Sequence, residues 1–221
     1  MKIGVFGDSF ANKNCHDIWW KYLEDYGHTV TCFGEAGSSI LFSAKLILEH
    51  ANNFDLCIWA ITNPPRFSLK DDKGNNFHFT GTEHKKVLKS DVELIEKIKS
   101  ADMYFKNLFD WEEADLVGTS LYHYLSTKTN LLALPCFSSP LGVNFNLYEV
   151  CEREAQYFFP NKDIVGIYKN YADTRDGHLC PNNQKILSRL IDENLKPGIF
   201  EARYDDFEPP SVNINDAFTM I

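Results

Sequence analysis

Long hydrophobic runs are missing from this 221-residue chain: no stretch of about 18 apolar residues occurs, so no membrane-spanning helix and no membrane association are predicted. The opening Met1-Lys2-Ile3-Gly4-Val5-Phe6-Gly7 is too short an apolar run for a signal peptide and reads as a strand, which predicts a cytoplasmic protein. Basic residues are in deficit. With 22 Lys and Arg against 31 Asp and Glu, the net charge is −9, and the phosphate neutralisation that dominates nucleic-acid affinity is not available overall, so no nucleic-acid partner is expected. Paired cysteines are also lacking. Cys15, Cys32, Cys57, Cys136, Cys151 and Cys180 lie singly, without Cys-x-x-Cys or His-x-x-x-His, which indicates neither a zinc site nor a disulfide framework and predicts reduced, mostly buried thiols. No Gly-Lys-Ser/Thr follows the Gly34 to Ser39 stretch and no Gly-x-Gly-x-x-Gly begins at Gly7, so nucleotide binding ranks low. Neither a metal nor an organic cofactor is expected, and no internal repeat or low-complexity tract is present.

What the chain does have is enough apolar material for one core. It is 44% hydrophobic and 14% aromatic, and a chain of this length buries roughly 70% of its unfolded surface. Strand patterns alternate with helical ones, the mark of a parallel sheet covered on both faces. Ile18, Trp19, Tyr22, Leu23 and Tyr26 recur at helical spacing up to Gly27, a C-terminal cap. His28 to Phe33 reads as strand two. Ser38 or Ser39 then caps a helix with the stripe Ile40, Leu41, Ala44, Ile47 and Leu48. Phe54 to Ile61 reads as strand three, and its continuous apolar character over Leu56, Cys57, Ile58, Trp59 and Ala60 fits a central strand. Phe67 and Leu69 face Phe77 and Phe79 across the polar turn 71–76, predicting a hairpin insertion over about 66–82. Ser90-Asp-Val-Glu93 is a capping box for a long helix, and a second helix spans about 112–126. Residues 130–137 read as strand four and 163–168 as a fifth, and Pro181 opens a last helix with the stripe Ile186, Leu187, Leu190 and Ile191. From Lys196 periodicity vanishes. The expected fold is a three-layer α/β/α sandwich with a parallel, flavodoxin-like sheet of about five strands, formed by residues 1–195, followed by an irregular tail at 196–221 that is a candidate for self-association into a homo-oligomer.

The chemistry-bearing residues sit where such a sheet places ligands. Lys2 to Phe10 is a strand ending in a sharp turn that carries Ser9 behind Asp8, a setting for nucleophilic catalysis. Gly34 to Ser39 and Ile61-Thr-Asn63 each follow a strand, and Asp176-Gly-His178 lies in a loop entering a helix. Crevices of open parallel sheets form beyond the carboxyl ends of the strands, so these segments can converge. In this order the chain resembles the SGNH, or GDSL-type, hydrolase superfamily over about residues 2–194. Gly7-Asp8-Ser9-Phe10 matches the nucleophile block, Gly37 the glycine of the second block and Asn63 the asparagine of the third. Thr62 and Pro64 depart from that third block, where glycine and aspartate are usual. His178-Leu-Cys-Pro-Asn resembles the histidine block, with Arg175 where the acidic residue usually stands. Asp176 is then the nearest acid and Asp173 the reserve.

The roles follow from elementary chemistry. A serine hydroxyl must hand its proton to a base, and His178, with an ordinary pKa near ~6.5, suits that task. Asp176 would hold the other ring nitrogen. Charge developing on an ester oxygen needs preorganised donors, supplied by the N–H groups of Ser9 and Gly37 and the side-chain amide of Asn63. The resemblance implies a serine esterase working through an acyl-enzyme, with carbohydrate O-acetyl esters, lipids or thioesters as substrate classes. Small acyl groups on a carbohydrate are favoured. The rivals are an acyltransferase using the same residues and a non-catalytic ligand-binding or assembly module. Arg66 reads as a solvated loop arginine, and His16, His28, His50, His78, His84 and His123 as surface or packing residues.

Overall fold

The computed structural model describes residues 1–15, 17–62, 66–70, 76–79, 92–137, 141–158 and 179–207. Asn63, Asp173, Asp176, His178, the strand expected at 163–168, the first half of the capping box at Ser90 and the end of the tail lie outside the described residues. The strands are β1 (Lys2–Gly7), β2 (Thr29–Cys32), β3 (Leu56–Ile61), β4 (Phe67–Lys70), β5 (Asn76–Phe79), β6 (Leu131–Pro135) and β7 (Gly198–Ile199). The helices are α1 (Trp19–Tyr22), α2 (Ile40–His50), α3 (Val92–Asn107), α4 (Trp111–Ser126), α5 (Leu147–Phe158) and α6 (Pro181–Asp192).

Five strands form one parallel sheet in the order β2-β1-β3-β6-β7, and β4 and β5 make a separate antiparallel hairpin. The order places β1 and β3 side by side, with the chain leaving them toward opposite edges. A crevice therefore opens beyond their carboxyl ends, the switch point at which open α/β sheets take ligands. This three-layer α/β sandwich is flavodoxin-like. β1, β3 and β6 are buried along both faces because their continuous apolar runs have helices on each side. On one face Ile3, Val5, Ile58 and Leu134 pack with Trp19 of α1, Val150 and Cys151 of α5, and Leu187 and Ile191 of α6. On the other, Phe6, Trp59 and Ala133 pack with Ile40, Ala44 and Ile47 of α2 and Leu125 of α4. Trp59 is fully buried and its indole N–H donates to Ser43 Oγ at 2.8 Å. Truncating it leaves a large cavity, so Trp59→Ala should cost about 3–5 kcal/mol in a urea melt.

Ser39, not Ser38, caps α2, its hydroxyl accepting from Phe42 N–H at 3.2 Å. Leu41 and Leu48, expected in the buried stripe of α2, are exposed. The buried stripe runs through Ile40, Ser43, Ala44 and Ile47 instead, one residue round the helix. The helix expected across Ile18 to Tyr26 is one turn of α1 followed by a 3₁₀ turn. The larger correction concerns the chain beyond 195. It is no tail as far as 207, since β7 pairs with β6, and Phe200 and Phe207 are buried in the first core cluster. Two residues after a proline carry no strand period; the open edge of β6 recruits them. No helix among the described residues is long and apolar enough to cross a membrane.

Candidate functional site

Asp8 organises the crevice. It is fully buried, with Oδ1 accepting from Phe10 N–H at 3.0 Å and Oδ2 accepting from the Thr62 hydroxyl and from Arg66 Nη1, both at 2.7 Å. A buried charge survives only when paired and hydrogen-bonded, and these donors come from its own turn and from the loop leaving β3. Arg66 is therefore not a solvated loop residue. Its side chain is 12% exposed, ion-paired with Asp8, and its guanidinium lies over the Phe137 ring at 5.3 Å. The signal for it was present in the sequence: an aspartate at the end of an apolar strand, between Gly7 and Ser9, needs hydrogen-bond donors or a cation once buried.

Ser9 follows, half-buried, at the start of a 3₁₀ turn closed by Ala11 N–H on Asp8 O at 3.0 Å. The loop after β2 is tied to this turn. Gly7 O accepts from Glu35 N–H at 3.1 Å and from the Ser38 hydroxyl at 2.9 Å, and Lys13 N–H donates to Gly34 O at 3.0 Å. A Cβ at Gly34 would stand 1.7 Å from Ala11 O, so only glycine lets the two loops approach. Gly37 has φ +79 in the turn closed by Ser38 N–H on Glu35 O at 3.1 Å, a conformation that a side chain disfavours. The structure thus brings the predicted Ser9 and Gly37 onto neighbouring, cross-tied loops. The predicted Asn63, Asp176 and His178 lie outside the described residues, one residue beyond Thr62 and one before Leu179 respectively for Asn63 and His178.

Leu179 is linked to the turn after Ser9 through a relay of three hydrogen bonds. Its carbonyl accepts from Gln184 Nε2 at 3.3 Å, Gln184 Oε1 accepts from Trp19 N–H at 2.9 Å, and the Trp19 indole donates to Phe10 O at 2.7 Å. The N-terminus of α6 is also held from outside. Cys180 offers no side-chain cap, and Glu154 of α5 supplies one, accepting from Cys180 N–H at 3.0 Å and from the Asn183 amide. Burial pushes the Glu154 carboxyl up to about 7, against the lowering effect of those bonds. Between pH 4.5 and 7 the native state therefore keeps a proton that the unfolded chain has lost, and stability falls as pH rises. The contribution is complete below pH 4.5 and gone above about 7, a change of about 3 kcal/mol. Wild type minus Glu154→Gln, followed by urea melts across that window, should show this slope, and equal pH dependence of the two proteins would exclude it.

Most of the thiols are poor candidate nucleophiles. All six cysteines are free, and burial pushes Cys32 and Cys180 up to about 12 and Cys136 and Cys151 well above the usual thiol range. No group of three metal-ligating side chains occurs among the described residues. A cavity of about 750 Å³ opens beside the rim, reached by Arg66, Glu35 and Ser39 and walled by Phe33, Leu46 and Phe109. His28 bonds Asp192 at 2.7 Å and His50 stacks on Phe33, whereas His78, read from sequence as a surface or packing residue, bonds Ser68 at 2.8 Å and Glu35 at 3.0 Å. Compared with known proteins, the chain matches no family model and no curated sequence.

Proposed function

We propose that the protein is a serine esterase of SGNH type, cleaving a small acyl group, O-acetyl in the favoured case, from a carbohydrate through an acyl-enzyme. Ser9 attacks the carbonyl carbon and His178 takes its proton. Asp176 holds the imidazole, with Asp173 as the reserve. The N–H groups of Ser9 and Gly37 and the amide of Asn63 receive the negative charge on the ester oxygen, each worth about 3 kcal/mol in the transition state. The observation that carries this reading is the buried Asp8, whose bonds to Phe10, Thr62 and Arg66 fix the Ser9 turn against the loop leading to Asn63. The bonded path from Phe10 through Trp19 and Gln184 to Leu179 ties the Ser9 turn to the segment that adjoins His178 in sequence, which is compatible with this reading.

Collapse of the acyl-enzyme requires only water, and an acceptor hydroxyl in its place would make the same residues an acyltransferase. Product formation from an aryl acetate, with and without a sugar acceptor, separates the two. Reaction with an alkyl fluorophosphonate and identification of Ser9 as a labelled residue tests the nucleophile. Inertness toward both reagents would favour the ligand-binding module instead. The reading places the enzyme in the cytoplasm, in keeping with six free thiols.

A further inference from the structure

We propose that Ser68, His78 and Glu35 form a second nucleophilic site, separate from Ser9, that acts on esters with an apolar or aromatic body bound in the cavity against α2. Ser68 and His78 face each other across the β4-β5 hairpin in register, and Ser68 Oγ lies 2.8 Å from His78 Nδ1. On the far side of the ring, Nε2 lies 3.0 Å from Glu35 Oε2, and Lys13 Nζ holds the other oxygen of Glu35 at 2.7 Å. A carboxylate can only accept, so Nε2 carries the ring proton toward Glu35. Nδ1 of the neutral ring is then the acceptor, and the Ser68 hydroxyl must donate to it. That is the polarity a serine nucleophile, its base and an orienting acid require.

Three features set this chain apart from an ordinary hairpin clamp. The imidazole is 10% exposed and wedged edge-on against Phe42 at 4.8 Å, which fixes its plane. Ser39 N–H donates to Ser68 Oγ at 3.0 Å, taking one of its two lone pairs and leaving the other for attack. Ser68 also lines the cavity, together with Ile40 and Leu41 at the first turn of the 11-residue α2. Phe42 N–H is taken by the Ser39 hydroxyl, whereas the N–H groups of Ile40 and Leu41 have no intrahelical carbonyl and lie at the positive end of the helix dipole, which suits an oxyanion. The walls contributed by Phe33, Leu46, Phe105 and Phe109 set the apolar preference. In the reaction the Ser68 Oγ–carbon bond forms and the hydroxyl proton passes to His78 Nδ1. The alkoxide leaves with that proton, and water then releases the acid and restores the hydroxyl.

The test uses the full chain and an alkyl fluorophosphonate, in which the Ser68 Oγ–phosphorus bond forms as fluoride leaves. Ser9→Ala protein should still take up one probe, mapped to Ser68 by peptide mass, and Ser9→Ala/Ser68→Ala none. Adding His78→Asn or Glu35→Gln to Ser9→Ala should slow labelling at residue 68, by at least about 100-fold for the histidine. Glu35→Gln keeps the shape of the side chain and guards against misfolding of the histidine variant. Labelling of wild type at Ser9 alone would overturn this site and leave the Ser9 reading standing; labelling at Ser68 alone would do the reverse. An unchanged rate at residue 68 in both the histidine and glutamate variants would also overturn it.

Discussion

Ser9→Ala should lower kcat/KM for a small-acyl ester by roughly 10⁴-fold or more, because removal of a nucleophile leaves only the oxyanion donors and substrate binding. Measuring it in Ser68→Ala protein as well as in wild type keeps the two hydroxyls apart. The fold should survive, since Ser9 is half-buried and alanine leaves intact the bonds from Phe10 N–H to Asp8 Oδ1 and from Ala11 N–H to Asp8 O that close the turn. With Ser9 in place, activity should rise with pH through about 6 to 7 as His178 loses its proton. A profile flat from pH 5 to 8 would exclude His178 as the base, and full activity in both Ser9→Ala proteins would exclude Ser9.

The largest effect on stability outside the apolar core is expected from Arg66→Ala. It removes the cation from a fully buried carboxylate, which among the described residues leaves Asp8 with the Phe10 N–H and the Thr62 hydroxyl. Breaking such a pair from one side typically costs about 3–5 kcal/mol. Asp8→Asn combined with Arg66→Met should cost less than the sum of the two single changes, because the charge left stranded in each single variant is absent from the double. Urea melts of wild type, Arg66→Ala, the two single variants and the double variant measure this. Arg66→Ala within 1 kcal/mol of wild type would show that the pair carries little of the fold. Activity should fall with it, since Arg66 and Thr62 together hold the Ser9 turn to the loop after β3.

Much of the sheet was legible because its central strands are local statements. The runs Leu56–Ile61 and Leu131–Pro135 are apolar at every position, and a strand buried on both faces is the only short element that requires that. The hairpin was legible for the same reason, from Phe67 and Leu69 facing Phe77 and Phe79 across a polar turn. The turns that carry Ser9 and Gly37 were legible from local turn chemistry in the loops that follow strands. β7 was not, since Gly198 and Ile199 become a strand only through the free edge of β6. Leu41 and Leu48 fitted a helical period as well as Ser43 did, and it took the position of the sheet to choose the buried side.

Along the chain alone, covalent order and side-chain period were sufficient to set much of the strand–helix alternation and to place a serine and a glycine in turns that follow strands, since each depends on neighbours a few residues away. Which charges would be buried was a different matter. Arg66 finds Asp8 across 58 residues, Glu154 caps α6 from 26 residues upstream, and His78 reaches Glu35 across 43. Such pairs exist because packing strips water from a polar group and leaves a distant partner as its only replacement, and that choice belongs to the assembled fold.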